Sequence, residues 1–320
     1  MRTSLHAVFL DHPSLDLGDL DLAALKACFA SLTLYKATSP EQVVEHMGTA
    51  EVVITNKVVL NAQTLAACPN LKLVLIAATG TNNVDLAAAA RLGITVCNCQ
   101  GYGVAPVAQH CMMLMLALAT RLSDYQRAVA NGQWQKAEQF CLLDYPIMEL
   151  EGKVLGILGY GELGQAVARL AKAFGMQILI GELPGRPAPD RMPLNELLAR
   201  VDVLSLHCPL TEQTRHLIGQ AELGQMKPGA LLINTARGGI VDEQALKQAL
   251  LDGHLGGAAT DVLSQEPPRS GNPLLDSQVP RLIITPHCAW GSREARQRIV
   301  EQLAQNAQAY CRAQPIRVVA

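Results

Sequence analysis

The sequence predicts an α/β protein built from two doubly wound parallel sheets, and three observations support this prediction. Short apolar or β-branched runs alternate with helix-like stretches along the whole chain, a pattern typical of parallel sheets with helices on both faces. One such run leads through a G-x-G-x-x-G motif into a helical pattern within residues 152–182. The length of 320 residues and the hydrophobic content of 49% are sufficient for two cores.

The candidate strands fall into two groups along the chain. Gly93 stands where the C-terminus of a preceding helix is expected. The first group predicts one sheet and comprises residues 7–10, 33–36, 51–54, 71–77 and 94–97. The second group predicts another sheet and comprises residues 154–158, 177–181, 202–207, 230–234, 256–261 and 281–285.

Two helical segments connect these groups. In residues 106–122, Pro106 stands at an expected N1 position. The segment is apolar on nearly all sides, so the rest of the chain or a second subunit should cover it. Residues 292–312 should cross back and complete the first unit. We therefore expect a discontinuous domain, 1–100 with 289–320, a second domain, 101–288, and an active-site cleft between them.

Composition excludes several classes of function. A net charge of −2 without a basic stripe argues against nucleic acid as the main partner. The nine cysteines contain no C-x-x-C pair, so we expect neither a bound metal nor a disulfide framework. The apolar segments are too short for a bilayer span or a signal peptide, so we expect no membrane association and a cytoplasmic location.

The glycine-rich turn has the spacing of a dinucleotide-binding site. Gly159 permits a tight turn, Gly161 lets backbone amides approach a pyrophosphate, and Gly164 lets the following helix pack closely on the strand. Glu182 ends the next strand 18 residues after Gly164 (182 − 164), where an acidic residue binds the ribose hydroxyls. A carboxylate there repels a 2′-phosphate, so NAD is expected over NADP, although Arg186 lies close by.

Three further side chains follow predicted strands and together suit one reaction. Arg237 follows ALLIN and precedes Gly238 and Gly239, where a flexible backbone can approach a ligand. Glu266 precedes two prolines, and His287 follows ITP. Hydride transfer to a 2-oxo acid requires a cation for the carboxylate, a proton donor for the carbonyl oxygen and a carboxylate that orients the donor. Arginine, histidine and glutamate supply these three groups.

The motifs GYGELG, HCPLT, NTARGGIVDE, DVLSQEPP and TPHCAW, in this order, resemble the D-isomer-specific 2-hydroxyacid dehydrogenase family across essentially the whole chain. That family has two Rossmann-like domains. The segments VAQH (107–110), 134–153 and HCAW (287–290) are similar to its glycerate dehydrogenase, or hydroxypyruvate reductase, branch. In the family the helix corresponding to 106–122 lies at a subunit interface, so the resemblance implies a homodimer.

The resemblance also implies roles for individual residues. His287 would be the acid/base, Glu266 its carboxylate partner and Arg237 the cation that binds substrate. Substrate contacts are expected at Thr79, Gly80, Thr81, Arg237 and Trp290. Cofactor contacts are expected at Gly159, Tyr160, Gly161, Glu162, Leu163, Gly164, Glu182, Cys208, Pro209, Ala236, Arg237, Asp261 and His287.

The implied function is NAD(H)-dependent interconversion of a small 2-oxo acid, hydroxypyruvate or glyoxylate, with D-glycerate or glycolate. Formate dehydrogenases share the fold, but their pattern has Gln at the position of Glu266. Phosphoglycerate dehydrogenases usually continue into regulatory domains. A different class, an NADH-sensing corepressor-like binding protein, remains an alternative, because such proteins can retain Arg237, Glu266 and His287.

Overall fold

The computed structural model describes residues 5–186 and 188–320, which form two compact units. Unit 1 comprises the described residues up to Gly103 together with Trp290–Ala320, and unit 2 comprises Val104–Ala289. The chain thus returns to its first unit through its last thirty-one residues (290–320). The boundaries expected from the sequence lie after residues 100 and 288.

In the part of the chain that the structure describes, eleven strands form the two sheets, and each was predicted from its apolar run. In unit 1 they are β1 His6–Phe9, β2 Ser31–Leu34, β3 Val52–Thr55, β4 Leu73–Ile76 and β5 Thr95–Cys97. In unit 2 they are β6 Val154–Leu158, β7 Gln177–Gly181, β8 Val203–Leu206, β9 Leu231–Asn234, β10 Gly257–Thr260 and β11 Leu282–Ile284.

Helices connect the strands. They are α1 Ala23–Lys26, α2 Val43–Met47, α3 Ala62–Ala66, α4 Leu86–Arg91, α5 Val104–Ala119, α6 Leu122–Ala130, α7 Glu162–Ala173, α8 Leu194–Leu198, α9 Gln220–Gln225, α10 Glu243–Leu251 and α11 Arg293–Cys311. Short 3-10 turns lie at His12–Ser14, Pro40–Gln42, Trp134–Lys136 and Pro273–Leu275.

Both sheets are parallel and doubly wound, as the alternating pattern predicted. The strand order is β2-β1-β3-β4-β5 in unit 1 and β11-β10-β9-β8-β6-β7 in unit 2. Successive strand residues point to opposite faces, so each sheet has two apolar cores. In unit 1 one core packs against α1 and α11 and the other against α2, α3 and α4. In unit 2 the cores pack against α5 with α7, and against α8, α9 and α10.

The prediction for the long apolar helix was wrong at both ends. Helix α5 begins at Val104, so Pro106 lies inside its first turn and not at N1. The first-turn amides have no intrahelical acceptor, so a proline is tolerated there. The helix ends at Ala119 because Arg121 adopts a left-handed backbone (φ 56°) and α6 begins in a new direction.

The apolar circumference of α5 is largely covered by unit 2 itself. Ten of its sixteen residues are buried, and it packs against α7 and strands β9 and β10. One large apolar side chain of α5, Met113, is exposed, and six more lie on the segment that follows. They are Leu122, Val129, Trp134, Phe140, Leu143 and Ile147, with Phe140 90% exposed and Leu143 79% exposed. The sequence analysis did not single out this apolar surface.

No single helix in the described part of the chain has the length and apolar character needed to cross a membrane. Helices α5 and α6 meet the same length and composition test only as a pair, and they are bent by 61° relative to each other.

Candidate active site

The glycine-rich turn between β6 and α7 has the geometry that the sequence predicted. Gly159 has φ +96°, and a Cβ there would lie 2.5 Å from the carbonyl carbon of His207. At Gly164 a Cβ would lie 2.2 Å from the Gly159 oxygen, so the helix can pack this closely only without a side chain. A Cβ at Gly161 would meet nothing within 4 Å. The turn therefore leaves open space at its middle glycine.

Helix α7 begins directly after this open position. Gly161 is its N-cap residue, and no side chain caps the helix. Its first amides thus lack intrahelical acceptors and point toward the space next to Gly161, where a pyrophosphate fits. Gly159, Gly161 and Gly164 each satisfy the steric demand of a dinucleotide-binding turn.

Glu182 lies directly after strand β7, at the carboxyl edge of the sheet. It is partly buried and borders a groove of about 260 Å³ that is also lined by Leu183, Pro184, Gly185, Pro193 and Leu194. Arg186 is exposed at the same turn. A carboxylate and a cation thus both lie near the groove where a ribose would bind.

The loop after strand β8 presents neutral groups. Burial lowers the pKa of His207 to about 4, and its Nε2 lies 2.8 Å from Ser205 Oγ. Burial raises the pKa of the Cys208 thiol to about 11. Pro209, the other predicted cofactor contact in this loop, is exposed. This loop can therefore line a cofactor without adding charge at neutral pH.

Arg237 projects from the loop after strand β9. Its Nη1 donates to the carbonyl of Ala236 over 2.7 Å, and Asn234 fixes the loop by hydrogen bonds to Ala236 N and Arg237 O. The side chain is exposed, and no acidic side chain in the described residues pairs with it. Because a guanidinium has five N–H donors, most remain available for an anionic ligand.

Gly238 has a different role from the one predicted. A Cβ at this position would lie 1.9 Å from the Leu263 carbonyl oxygen, so the missing side chain leaves room for another segment of the protein and not for a ligand. Leu263 N in turn donates to Glu266 Oε1 over 2.9 Å. The absence of a side chain at Gly238 thus allows the Arg237 loop to pack against the segment that leads to Glu266.

Glu266 and His287 form a close pair. Glu266 Oε2 lies 2.6 Å from His287 Nδ1, while Oε1 accepts the Leu263 amide. An ionised carboxylate only accepts hydrogen bonds, so we assign the proton on Nδ1 to His287. Nε2 then donates in the imidazolium and accepts in the neutral ring. This is the arrangement of an oriented general acid/base.

The backbone at His287 is unusual and is held by Asp261. His287 has φ +52°, a left-handed conformation that non-glycine residues rarely adopt. Its N–H donates to the Asp261 carbonyl (2.8 Å) and to Thr285 O (3.0 Å). The Asp261 side chain, 1% exposed, accepts the N–H groups of Cys288 and Ala289, each over 2.9 Å. Asp261 was predicted only as a cofactor contact, and here it also shapes the loop that carries His287.

A cluster of possible metal ligands lies in the same place. The side-chain ligand atoms of His110, Asp261 and Cys288 lie within 4.8 Å of one another. Both Asp261 oxygens already accept hydrogen bonds from the protein, and His110 Nε2 lies 2.9 Å from Thr285 Oγ1. A cation would have to displace these bonds, so the geometry describes a hydrogen-bond network.

The predicted substrate contacts lie in unit 1. Thr79 Oγ1 donates to Cys99 O over 2.8 Å, and Asn98 Nδ2 donates to Thr79 O over 2.8 Å, which fixes the loop after β4. No hydrogen-bond acceptor in the described residues engages the amides of Gly80 and Thr81. Trp290 packs edge-to-face on Tyr102, with ring centroids 6.3 Å apart. The loop after β4 can therefore donate backbone N–H groups to a carboxylate.

Two residues of the site were missed by the sequence analysis as functional candidates. His110 and Thr285 were read only as parts of the segments VAQH and TPHCAW. They are separated by 175 positions, and no spacing rule joins them. Only the packing of α5 against the sheet of unit 2 brings the two side chains together.

The sequence is similar to proteins of one known family. Residues 112–289 match the D-isomer specific 2-hydroxyacid dehydrogenase family, NAD binding domain. A glycerate dehydrogenase from Methylorubrum extorquens is 47% identical over 286 residues, covering 89% of this chain and 90% of that protein. A hydroxypyruvate reductase from Blautia hydrogenotrophica is 36% identical over 320 residues, covering 98% of both chains.

A solved structure is similar over nearly the whole chain. The D-lactate dehydrogenase from Aquifex aeolicus, complexed with NAD and lactic acid, has a TM-score of 0.82 at 28% identity and covers 96% of both chains. The matched family covers more than half of the sequence, and two relatives exceed 35% identity over most of their length. This chain therefore belongs to the D-isomer-specific 2-hydroxyacid dehydrogenase family.

Proposed function

We propose that this protein reduces a small 2-oxo acid to the D-2-hydroxy acid with NADH, and catalyses the reverse reaction with NAD. The observation that supports this most directly is the 2.6 Å contact between His287 Nδ1 and Glu266 Oε2. It leaves Nε2 of His287 as the atom that exchanges a proton with substrate. The corepressor-like alternative has no specific support, because the two similar sequences described above are named as enzymes.

Each residue has a defined task in the proposed reaction. NADH, when bound at the glycine-rich turn, supplies the hydride. His287, as the imidazolium, donates its Nε2 proton to the carbonyl oxygen as negative charge develops there, and Glu266 orients the ring by accepting a hydrogen bond from Nδ1–H. Arg237 attracts the substrate carboxylate. In the oxidation direction, neutral His287 accepts the proton.

Hydroxypyruvate and glyoxylate are the substrates we propose. Relatives that share 36–47% identity are named glycerate dehydrogenase and hydroxypyruvate reductase, and a 38% identical relative from Korarchaeum cryptofilum is named glyoxylate reductase. A panel of 2-oxo acids, followed by nicotinamide absorbance, tests this. Turnover of neither acid with either cofactor would contradict the proposal.

The cofactor preference provides a separate prediction. We expect a higher kcat/KM with NADH than with NADPH, because Glu182 should bind the ribose hydroxyls and repel a 2′-phosphate. The variant Glu182→Gln removes the charge. It should lower the ratio of kcat/KM with NADH to kcat/KM with NADPH by about tenfold. Glu196→Gln, an exposed carboxylate of α8, is the control and should leave the preference unchanged. Equal use of both cofactors by the unmodified protein would show that Arg186 dominates at this site.

We further propose a homodimer formed through residues 106–122 and the apolar surface that follows them. Exposed apolar side chains concentrated on one segment are typical of an interaction site. Sedimentation at micromolar concentration should therefore give a dimer. Replacing Phe140 and Leu143 together by Asp should give a monomer, while Leu17→Asp, at an 80% exposed position of unit 1, should not. A monomeric wild-type protein would contradict the proposal.

We place the protein in the cytoplasm. Six of the nine cysteines are buried. Burial raises the pKa of the Cys97 thiol to about 11 and that of Cys99 to about 12. Such thiols are protonated and unreactive at neutral pH, as suits a reducing compartment.

A further inference from the structure

A chain of hydrogen bonds runs from helix α5 to the loop that carries His287. His110 Nε2 lies 2.9 Å from Thr285 Oγ1, and Thr285 Oγ1 donates to Asp261 Oδ1 over 2.5 Å. The ring of His110 is only 15% exposed. Three side chains from α5, from the end of β10 and from the end of β11 thus form one partly buried network.

The direction of each bond in this chain follows from the donors available. Asp261 Oδ1 also accepts Cys288 N–H, so Thr285 uses its single hydroxyl proton toward the carboxylate. Thr285 Oγ1 can then only accept from His110. The proton of neutral His110 is therefore on Nε2, which assigns its tautomer from the network.

The network ends at the backbone that positions His287. Asp261 accepts the two amides that follow His287, and Asp261 O accepts the His287 amide itself. The left-handed backbone at His287 costs free energy and persists only where its surroundings enforce it. If Asp261 shifts, the imidazole shifts with it. A displacement of about 1 Å can lower a rate by about a hundredfold.

We propose that His110 and Thr285 are positioning residues for proton transfer at His287. They act through the Asp261 carboxylate, which they hold against the loop 285–289. The inference rests on the proposed function, because it assumes that His287 exchanges the proton with substrate. Neither His110 nor Thr285 needs to touch substrate or cofactor for this role.

Two variants break this chain of hydrogen bonds, and two others retain it. Thr285→Val keeps the shape of the side chain without the hydroxyl, and His110→Leu removes the donor. Each should lower kcat for 2-oxo acid reduction by about ten- to a hundredfold and leave the dissociation constant for NADH unchanged. Thr285→Ser and His110→Gln keep a hydroxyl and an N–H donor, so they should recover most of the lost kcat.

Matched controls and a double variant separate positioning from a general structural effect. His254→Leu removes a histidine that lies 3.0 Å from Met226 O, and Thr64→Val removes a hydroxyl that donates to Asn61 Oδ1. Both should keep wild-type kcat. The double variant of Thr285→Val and His110→Leu should be no slower than either single one, because both break the same chain. Additive losses, or a lower Tm with normal kcat, would overturn the proposal.

The tautomer of His110 gives a test that does not depend on turnover. Nitrogen-15 NMR of the wild-type protein without substrate should show the proton on Nε2 of His110, and Thr285→Val should change that signal. A proton on Nδ1 would overturn the inference even if the hydrophobic variants fail to fold. A wild-type protein that reduces no 2-oxo acid would contradict the proposed function instead, whatever the tautomer.

Discussion

Replacing His287 with Gln should lower kcat for 2-oxo acid reduction by roughly a hundred- to ten-thousand-fold, because a positioned general acid contributes that much. Gln can still donate a hydrogen bond to the carbonyl oxygen, but it cannot release a proton. Binding of NADH should persist, since the glycine-rich turn and Glu182 remain unchanged. Stopped-flow turnover and fluorescence titration of NADH measure the two effects separately.

The chain contains a matched control for this variant. His216 also has a left-handed backbone, with φ 51°, and is exposed in unit 2. His216→Gln therefore makes the same substitution at another left-handed position but leaves the acid/base group of His287 in place. This variant should keep wild-type kcat. A His287→Gln protein with near-normal turnover would remove His287 from the reaction.

The pH dependence of the wild-type enzyme should differ between the two directions. Reduction requires the imidazolium of His287 as donor, whereas oxidation requires the neutral ring as acceptor. The rate of reduction should therefore fall as pH rises, and the rate of oxidation should rise. Glu266→Gln removes the carboxylate that orients the ring through Nδ1, at 2.6 Å, and should lower kcat in both directions. Unchanged turnover in both directions, with chemistry limiting the rate, would show that Glu266 does not orient His287.

The fold was predictable because its determinants are local. Each of the eleven strands is a short apolar run, and the two sheets could be assigned from their alternation with helices. The steric roles of Gly159 and Gly164 followed from the motif spacing alone. The boundaries of α5 were not predictable, because the left-handed residue at Arg121 that separates α5 from α6 has no distinctive sequence pattern.

The site was only partly predictable because some of its parts depend on tertiary packing. Arg237, Glu266 and His287 were predicted as functional residues because each follows a predicted strand. The sequence around them did not show that Asp261 holds the His287 loop. Gly238 was misread for the same reason, since its close neighbour is the backbone of Leu263, 25 positions away (263 − 238). Residues that act through the packing of distant segments leave no periodic pattern in the sequence.

Replacing Arg237 with Ala should raise KM for the 2-oxo acid and lower kcat together. The guanidinium both attracts the carboxylate and fixes the carbonyl relative to the hydride donor, so its loss affects binding and orientation. A charge-assisted contact contributes roughly 1.5–3 kcal/mol, and misplacement adds to this, so kcat/KM should fall by roughly a hundred- to thousand-fold.

Further experiments determine whether the shape or the charge of the Arg237 side chain is responsible for this effect on kcat/KM. Arg237→Lys keeps the charge but loses the planar fork that matches a carboxylate, so it should recover only part of the activity. Guanidinium ion added to Arg237→Ala should restore some turnover, because Asn234 still fixes the loop through its bond to Ala236 N. Arg200→Ala, at an exposed position of unit 2, gives the same change in net charge and should behave as wild type. Normal kcat/KM in Arg237→Ala, measured with the same 2-oxo acid, would show that the carboxylate is bound elsewhere.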